Sequence, residues 1–390
     1  MNTLRFTRLE LNNWRNFKHV SVPLARRTFL VGPNAIGKSN LLDAVRFLRD
    51  LVLDGGGLAK AVELRGGMAA VRSLHAKQVN DVMVAVEVGN DGSGGWRYEL
   101  EFNQHAKESS QPRVRREQVW RICTDGSRAS KLRRPNDPDR KDPLQLTQTA
   151  LQQVTQNKDF RELADFFRSV AYLHIVPQLV REEQRPRSDA LGPDPYGRDL
   201  LDRVANTPKA QQRGRLKQIE SILKRVVPQL REIRQEQDSH GRPHLKAKFQ
   251  HWRGFGAMQN ETQFSDGTLR LIGLLWALQE AAEPLLLEEP ELSLHTQIVG
   301  RLAGFIHRAQ TAGGGRQVLV STHSEHLLGD SGIAPEEILL VTPADEGSQV
   351  VCGAEHKQVS RLMRAGILPS EAVIPQTTTR QMELFDFVPA

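Results

Sequence analysis

Apolar and polar side chains alternate along Leu4-Arg5-Phe6-Thr7-Arg8-Leu9-Glu10-Leu11, the two-residue period of a half-buried strand. A second strand is expected at 20–24, and Arg27-Thr28-Phe29-Leu30-Val31 is apolar enough for a central strand. A glycine-flanked loop at 32–37 follows. Leu41, Leu42, Val45, Leu48 and Leu51 then recur at helical spacing through 39–51. Runs at 82–88 and 96–102 read as a hairpin joined by Gly89-Asn90-Asp91-Gly92-Ser93-Gly94-Gly95.

Near Gln104 the texture changes. Residues 104–145 are polar and proline-bearing, 146–168 and 211–234 carry helical patterns, and 188–199 is a turn-rich linker. Leu216, Ile219, Ile222, Leu223, Val226 and Val227 fall on one face of the second helical stretch, but no heptad repeat is sustained. A second block of alternating elements starts near Thr262. It comprises an apolar helix at 269–278, a strand at 284–289 ending in two carboxylates, a helix at 294–309, a buried strand at 317–321 and strands at 337–341 and 349–351. The expected organisation is an α/β N-terminal lobe (1–103), an inserted, mainly helical basic arm (104–260), a C-terminal lobe (261–376) and a flexible tail (377–390).

Composition and charge narrow the class. Of 390 residues, 39% are hydrophobic and 25% charged. No apolar run is long enough for a membrane helix, which excludes a transmembrane transporter. The first residues lack a secretory signal. Two cysteines, Cys123 and Cys352, cannot build a disulfide framework, so a reducing cytoplasm is expected. The net charge is +7, yet residues 101–260 hold 31 Lys and Arg against 20 Asp and Glu. That surplus reads either as a module facing a polyanion, through Arg113, Arg115, Arg116, Arg133 and Arg134, or as a solvated arginine-rich surface.

Gly32-Pro33-Asn34-Ala35-Ile36-Gly37-Lys38-Ser39 fits the phosphate-binding pattern G-x-x-x-x-G-K-[ST] between an expected strand and helix, with Asn40 next. Glycines let backbone N–H groups converge on phosphates, Lys38 reaches the β- and γ-phosphates, and the Ser39 hydroxyl ligates Mg²⁺. Kinases, GTPases and ATPases all remain open at that point. Leu285-Leu286-Leu287-Glu288-Glu289-Pro290 narrows the choice: Glu288 is placed to hold magnesium, and Glu289 to polarise an attacking water. Phe264-Ser265-Asp266-Gly267 opens an apolar helix as a second anion site through Ser265 and Gly267. His323, just past a buried strand, is placed to sense the γ-phosphate.

In this order the motifs resemble Walker A, signature, Walker B and switch histidine of the ABC-type ATPase heads of the RecF, SMC and overcoming-lysogenization-defect (OLD) group. The opening Leu9-Glu10-Leu11-Asn12-Asn13-Trp14-Arg15-Asn16-Phe17 also looks like that group's start. Stand-alone bacterial AAA-like ATPases with Ser-Asp-Gly-Thr signatures look most similar. The resemblance implies a P-loop head with a mixed, mainly parallel sheet flanked by helices and antiparallel N-terminal strands. It also implies ATP hydrolysis with Mg²⁺, and head-to-tail dimers or higher oligomers in which each signature closes over the other's nucleotide. Residues 290–295 would form the D-loop. Glu288 stands where the group usually has aspartate, Phe-Ser-Asp-Gly replaces Leu-Ser-Gly-Gly, and Gln78 is the nearest Q-loop candidate. Too few residues follow His323 for a Toprim nuclease domain.

Gln381-Met382-Glu383-Leu384-Phe385 resembles peptides that bind the bacterial sliding clamp through Gln381, Leu384 and Phe385; the alternative is that this tail packs on the protein itself. The expected function is an ATP-driven switch that dimerises on ATP and controls a DNA-directed or effector partner in anti-phage defence, with DNA and a separate nuclease or toxin as the expected partners. The alternative is a RecF-like DNA-binding ATPase of recombination and repair. No membrane partner is expected.

Overall fold

The computed structural model describes residues 4–73, 81–90, 94–104, 111–182, 193–250, 256–280, 284–312 and 315–377. Its strands are β1 (Arg5–Trp14), β2 (Phe17–Pro23), β3 (Arg27–Val31), β4 (Val82–Gly89), β5 (Gly95–Asn103), β6 (Arg113–Ile122), β7 (Arg128–Arg134), β8 (Ala171–Leu173), β9 (Leu230–Gln237), β10 (Pro243–Gln250), β11 (Gly256–Asn260), β12 (Leu285–Glu288), β13 (Val318–Thr322), β14 (Ile338–Ala344) and β15 (Gly347–Cys352). Among the described residues, 12 of them form one sheet in the order β7-β6-β5-β4-β1-β2-β15-β14-β3-β13-β12-β8. From β14 to β8 neighbouring strands are parallel. The remainder is antiparallel, so the sheet is mixed.

Side-chain alternation divides that sheet between two cores. Leu30, Leu286, Leu319, Leu339 and Val341 pack on one face with helix α1 (Lys38–Val52). Phe29, Val31, Leu285, Leu287, Val318, Val320, Ile338 and Leu340 pack on the other with helix Asp266–Leu278. Strands covered on both faces read as continuous apolar runs, which is why β3, β12 and β13 stand out in the sequence. Leu41, Leu42, Val45, Leu48 and Leu51 of α1 are all buried. Each contributes about 1.5–3 kcal/mol relative to exposure. Both helices expected to open phosphate sites are thus fixed to opposite faces of a single sheet.

Residues 104–260 do not form one helical arm. Strands β6 and β7 continue the N-terminal antiparallel sheet beside β5, and β8 joins its far edge beside β12. The helical pattern expected through Arg234 stops at Val226, and β9 begins at Leu230. Pro228 accounts for the break, because it drives Val227 out of the helical region to φ −121°, ψ 84°. A separate sheet ordered β11-β10-β9 follows, its Leu230, Ile233 and Leu245 packed in the same core as Leu216, Ile219 and Leu223. Within 146–168 the regular helix is Arg161–Arg168, and the helix expected at 294–309 is split into Thr296–Val299 and Leu302–Ala312. No helix among the described residues is long and apolar enough to cross a membrane. Both cysteines are free thiols.

Candidate nucleotide-binding and hydrolysis site

Strand β3 runs directly into the loop from Gly32 to Ser39. A Cβ on Gly32 would stand 2.4 Å from the Val341 carbonyl oxygen, so only glycine lets the loop leave the sheet here. Ala35 and Gly37 adopt φ of 62° and 107°, the left-handed backbone from which anion-binding concavities of N–H groups are built. Lys38 starts α1, and its ammonium donates to the carbonyls of Gly32 and Pro33, both at 2.9 Å. Nζ also lies 4.0 Å from Glu289 Oε1. Burial pushes the Lys38 ammonium below its ordinary value, against the pull of Glu289, Glu291 and Glu288.

The turn between β1 and β2 braces this loop. Asn16 Nδ2 donates to the Ile36 carbonyl at 2.6 Å and to Ser348 Oγ at 2.8 Å, while Asn16 Oδ1 accepts from Asn40 Nδ2 at 2.8 Å. Trp14 Nε1 reaches the Asn40 carbonyl at 2.8 Å, and Arg15 pairs with Asp43 at 2.8 Å. The opening motif therefore fixes the phosphate loop from outside. Asn40, expected as a nucleotide contact, holds Asn16.

Strand β12 brings its acids to the same sheet edge. Ser39 Oγ bonds Glu288 Oε1, and the Tyr172 hydroxyl bonds Glu288 Oε2. His174 Nδ1 lies 3.2 Å from the Glu288 carbonyl oxygen. Burial raises the Glu288 carboxyl above its ordinary value; the Ser39 hydroxyl opposes that rise and the Glu289 charge adds to it. Glu289 follows the strand's last residue at φ 41° and its N–H donates to the Ser321 carbonyl at 3.0 Å, which ties it to β13. Its Oε1 meets His323 Nδ1 at 3.2 Å. A hydroxyl and a carboxylate at the end of the phosphate loop are the hard oxygen donors that suit Mg²⁺ alongside nucleotide phosphates and water.

Ser265 caps helix Asp266–Leu278 by accepting from Thr268 N–H at 3.2 Å. A Cβ on Gly267 would stand 2.4 Å from the Ser293 carbonyl oxygen, so the segment expected as the signature packs on residues 290–295, the expected D-loop, of its own chain. Arg181 pairs with Asp266 at 2.7 Å and donates to the Phe264 carbonyl at 2.7 Å. Lys38, Ser39, Glu288, Glu289 and His323 thus form one cluster, and Ser265 and Gly267 sit beside the D-loop. Sequence reasoning quoted Asn16 only within the opening motif, with no role in the site, and missed Tyr172, His174 and Arg181. The opening motif was the available signal for Asn16; the other three are placed by contacts distant in sequence.

The arginines separate. Arg134 is buried among Glu117, Asp139 and the carbonyls of Gln145 and Gln148, so it is a structural cation and not a surface contact. Arg115, Arg116, Arg133 and Arg140 border a cleft of about 740 Å³, and Arg113 is half-buried. Arg116 is already paired with Glu99 and Glu101. Gln78, Gln381, Leu384 and Phe385 lie outside the described residues.

A family model described as "AAA domain, putative AbiEii toxin, Type IV TA system" matches residues 27–329. No curated protein matches the sequence. Among solved structures, an Smc head domain with an extended coiled coil, bound to the C-terminal domain of ScpA and derived from Pyrococcus furiosus, is 14% identical; the match covers 93% of this chain and 99% of that one at a TM-score of 0.52. An Smc head domain with a coiled coil and joint from Pyrococcus yayanosii is 12% identical, with 93% and 100% covered at 0.50. An SmcHead bound to the C-winged helix domain of ScpA is 17% identical, with 89% and 96% covered at 0.50. These likenesses show the fold, an ABC-type ATPase head. The family match runs from β3 through the phosphate loop, signature, paired acids and His323, and the chain accordingly belongs to the AAA-domain family described with AbiEii-type toxins of type IV toxin–antitoxin systems.

Proposed function

We propose that this chain is an ATP-hydrolysing switch that closes into a head-to-tail dimer, or a higher oligomer, on ATP and controls a separate effector in anti-phage defence in the cytoplasm. The observation that carries the reading is the convergence of Lys38, Ser39, Glu288, Glu289 and His323 from three separate strand ends. The family's description with toxins of toxin–antitoxin systems supports a nuclease or toxin as effector. A RecF-like role on DNA is the second reading, favoured by the arginine-bordered cleft.

Nucleotide enters at the end of β3. Backbone N–H groups of residues 33–39 and the N-terminus of α1 face its phosphates. Lys38 exchanges its two carbonyl partners for phosphate oxygens, a stronger charge-assisted contact. Ser39 and Glu288, now bonded to each other, would hold Mg²⁺, which supplies neutralisation of the phosphate charge. Tyr172 keeps the Glu288 carboxylate oriented for that task. Glu289 orients the attacking water and draws its proton, while His323 contacts the γ-phosphate. Ser265 of a second chain closes the site from above. A general base contributes roughly 10²–10⁴ in rate. E289Q should therefore bind ATP, remain dimeric and turn over at least about 100-fold more slowly. Parental turnover in that variant, measured as phosphate release, would show that Glu289 is not the base.

A further inference from the structure

Glu291 is buried to 7% exposure, where an isolated carboxylate is costly. Oε1 accepts the Thr322 hydroxyl at 2.5 Å and the His323 N–H at 3.4 Å. The Thr322 oxygen in turn accepts the Ser324 N–H at 3.0 Å. Together these bonds cap the turn at the end of β13 that carries His323. Oε2 is buried with no hydrogen-bond partner among the described residues. Packing alone therefore does not account for a carboxylate here; an apolar side chain would fill the space without that cost.

The segment holding Glu291 leads in the other direction to Ser293, which is left-handed at φ 60°. Its carbonyl is the group that abuts Gly267 of the signature. One side chain thus joins the histidine turn to the loop behind the signature helix. Glu289 touches the same turn through two further contacts, its N–H on Ser321 and its Oε1 on His323.

We propose that Glu291 is a positioning residue for hydrolysis: through the Thr322 hydroxyl and the His323 main chain it sets the Glu289–His323 pair and links that pair to the signature. The inference rests on the ATPase reading above and deepens it. It makes Glu291 matter to turnover more than to nucleotide affinity. The hydrogen bond, not the negative charge, is the feature that counts.

Steady-state kinetics of E291A, T322V, the double variant and E291Q test this. E291A and T322V should each lower kcat at least about tenfold, since small misplacements of reacting groups cost that much. KM for ATP should stay within about twofold. The double variant should lose clearly less than the two single losses combined, because the Thr322–Glu291 bond is common to both, while the His323 N–H bond goes only with E291A and the Ser324 N–H bond only with T322V. E291Q should restore most of the turnover, its amide oxygen accepting the Thr322 hydroxyl. Additive losses, a change confined to KM, or an E291Q as slow as E291A would each overturn the proposal. The second readout is the His323 ring signal in NMR spectra of the full chain, assigned by its loss in H323A. E291A and T322V should displace it and E291Q should not; an unmoved signal in E291A refutes the positioning role. A wild-type chain that binds ATP without hydrolysing it would sink the hydrolysis reading, while the ring signal would still decide whether Glu291 places His323.

Discussion

Replacing Arg134 by alanine separates a structural cation from a nucleic-acid contact. The guanidinium side chain has 0% exposure, beside Glu117 at 0% and Asp139 at 1%. R134A leaves two buried carboxylates without their cation. Glu117 keeps the Ala150 N–H at 2.7 Å, the Leu151 N–H at 3.2 Å and the Tyr98 hydroxyl at 3.1 Å. Asp139 keeps the Asn136 N–H at 2.9 Å. Removing one partner of a buried pair costs about 3–5 kcal/mol, and the surviving donors place this case near 3 kcal/mol at pH 8. Burial already holds the Glu117 carboxyl above its ordinary value with Arg134 opposing, so losing Arg134 raises it further. A carboxyl whose folded pKa exceeds its unfolded one favours the fold below the unfolded pKa and loses that contribution as pH rises. The R134A deficit should accordingly be largest at pH 8 and narrow toward pH 5. R133A, at an exposed position, should fall within about 0.5 kcal/mol of the parent at every pH. Urea unfolding of the three chains at pH 8 and pH 6, with salt-dependent DNA binding measured alongside, decides the matter. If R134A unfolds like the parent at both pH values yet loses DNA affinity as R133A does, the assignment of Arg134 to the core is wrong.

Three further outcomes follow from the site. G267A would push a methyl group to 2.4 Å from the Ser293 carbonyl oxygen, so ATP-dependent dimerisation should fail in light scattering while ATP still binds; a normal dimer would mean the signature does not depend on that D-loop contact. Burial raises Glu288, and its acid form cannot serve a cation, so turnover should decline on the acid side at a pH above the ordinary carboxyl value of 4.5; excess Mg²⁺ should move that limb downward, and a limb indifferent to Mg²⁺ would exclude Glu288 as its origin. Y172F removes the second hydroxyl on Glu288 and should raise the Mg²⁺ concentration for half-maximal turnover several-fold, with ATP affinity at saturating Mg²⁺ unchanged; an unaltered Mg²⁺ requirement would show that Tyr172 only packs there.

What the sequence disclosed and what it concealed follow from one physical difference. Strands β3, β12 and β13 lie in the parallel half, covered by helices on both faces, so they form unbroken apolar runs, and each run ends in residues of the site. Strand β6 lies near an edge of the same sheet. It buries Val114 and Val119 but exposes Arg115 and Arg116, while the buried Glu117 takes its compensation from Arg134 of β7. A buried ion pair reads in one dimension as two surface charges, which is why this part of the lobe resembled a basic insert. In β9 the positions of Leu230 and Ile233 prolong the three-residue step of the preceding helix, and only Pro228 marks the change. Strand β8 is three residues long and carries no period at all. Tyr172 and His174 acquire their meaning from pairing with β12, since that register puts Leu173 opposite Leu287 and sets both polar neighbours beside Glu288. Local spacing can announce a candidate phosphate loop because its pattern is written in consecutive residues. It cannot announce residues that orient the loop's partners from a strand more than a hundred positions away, and in this site those include the groups that hold Glu288.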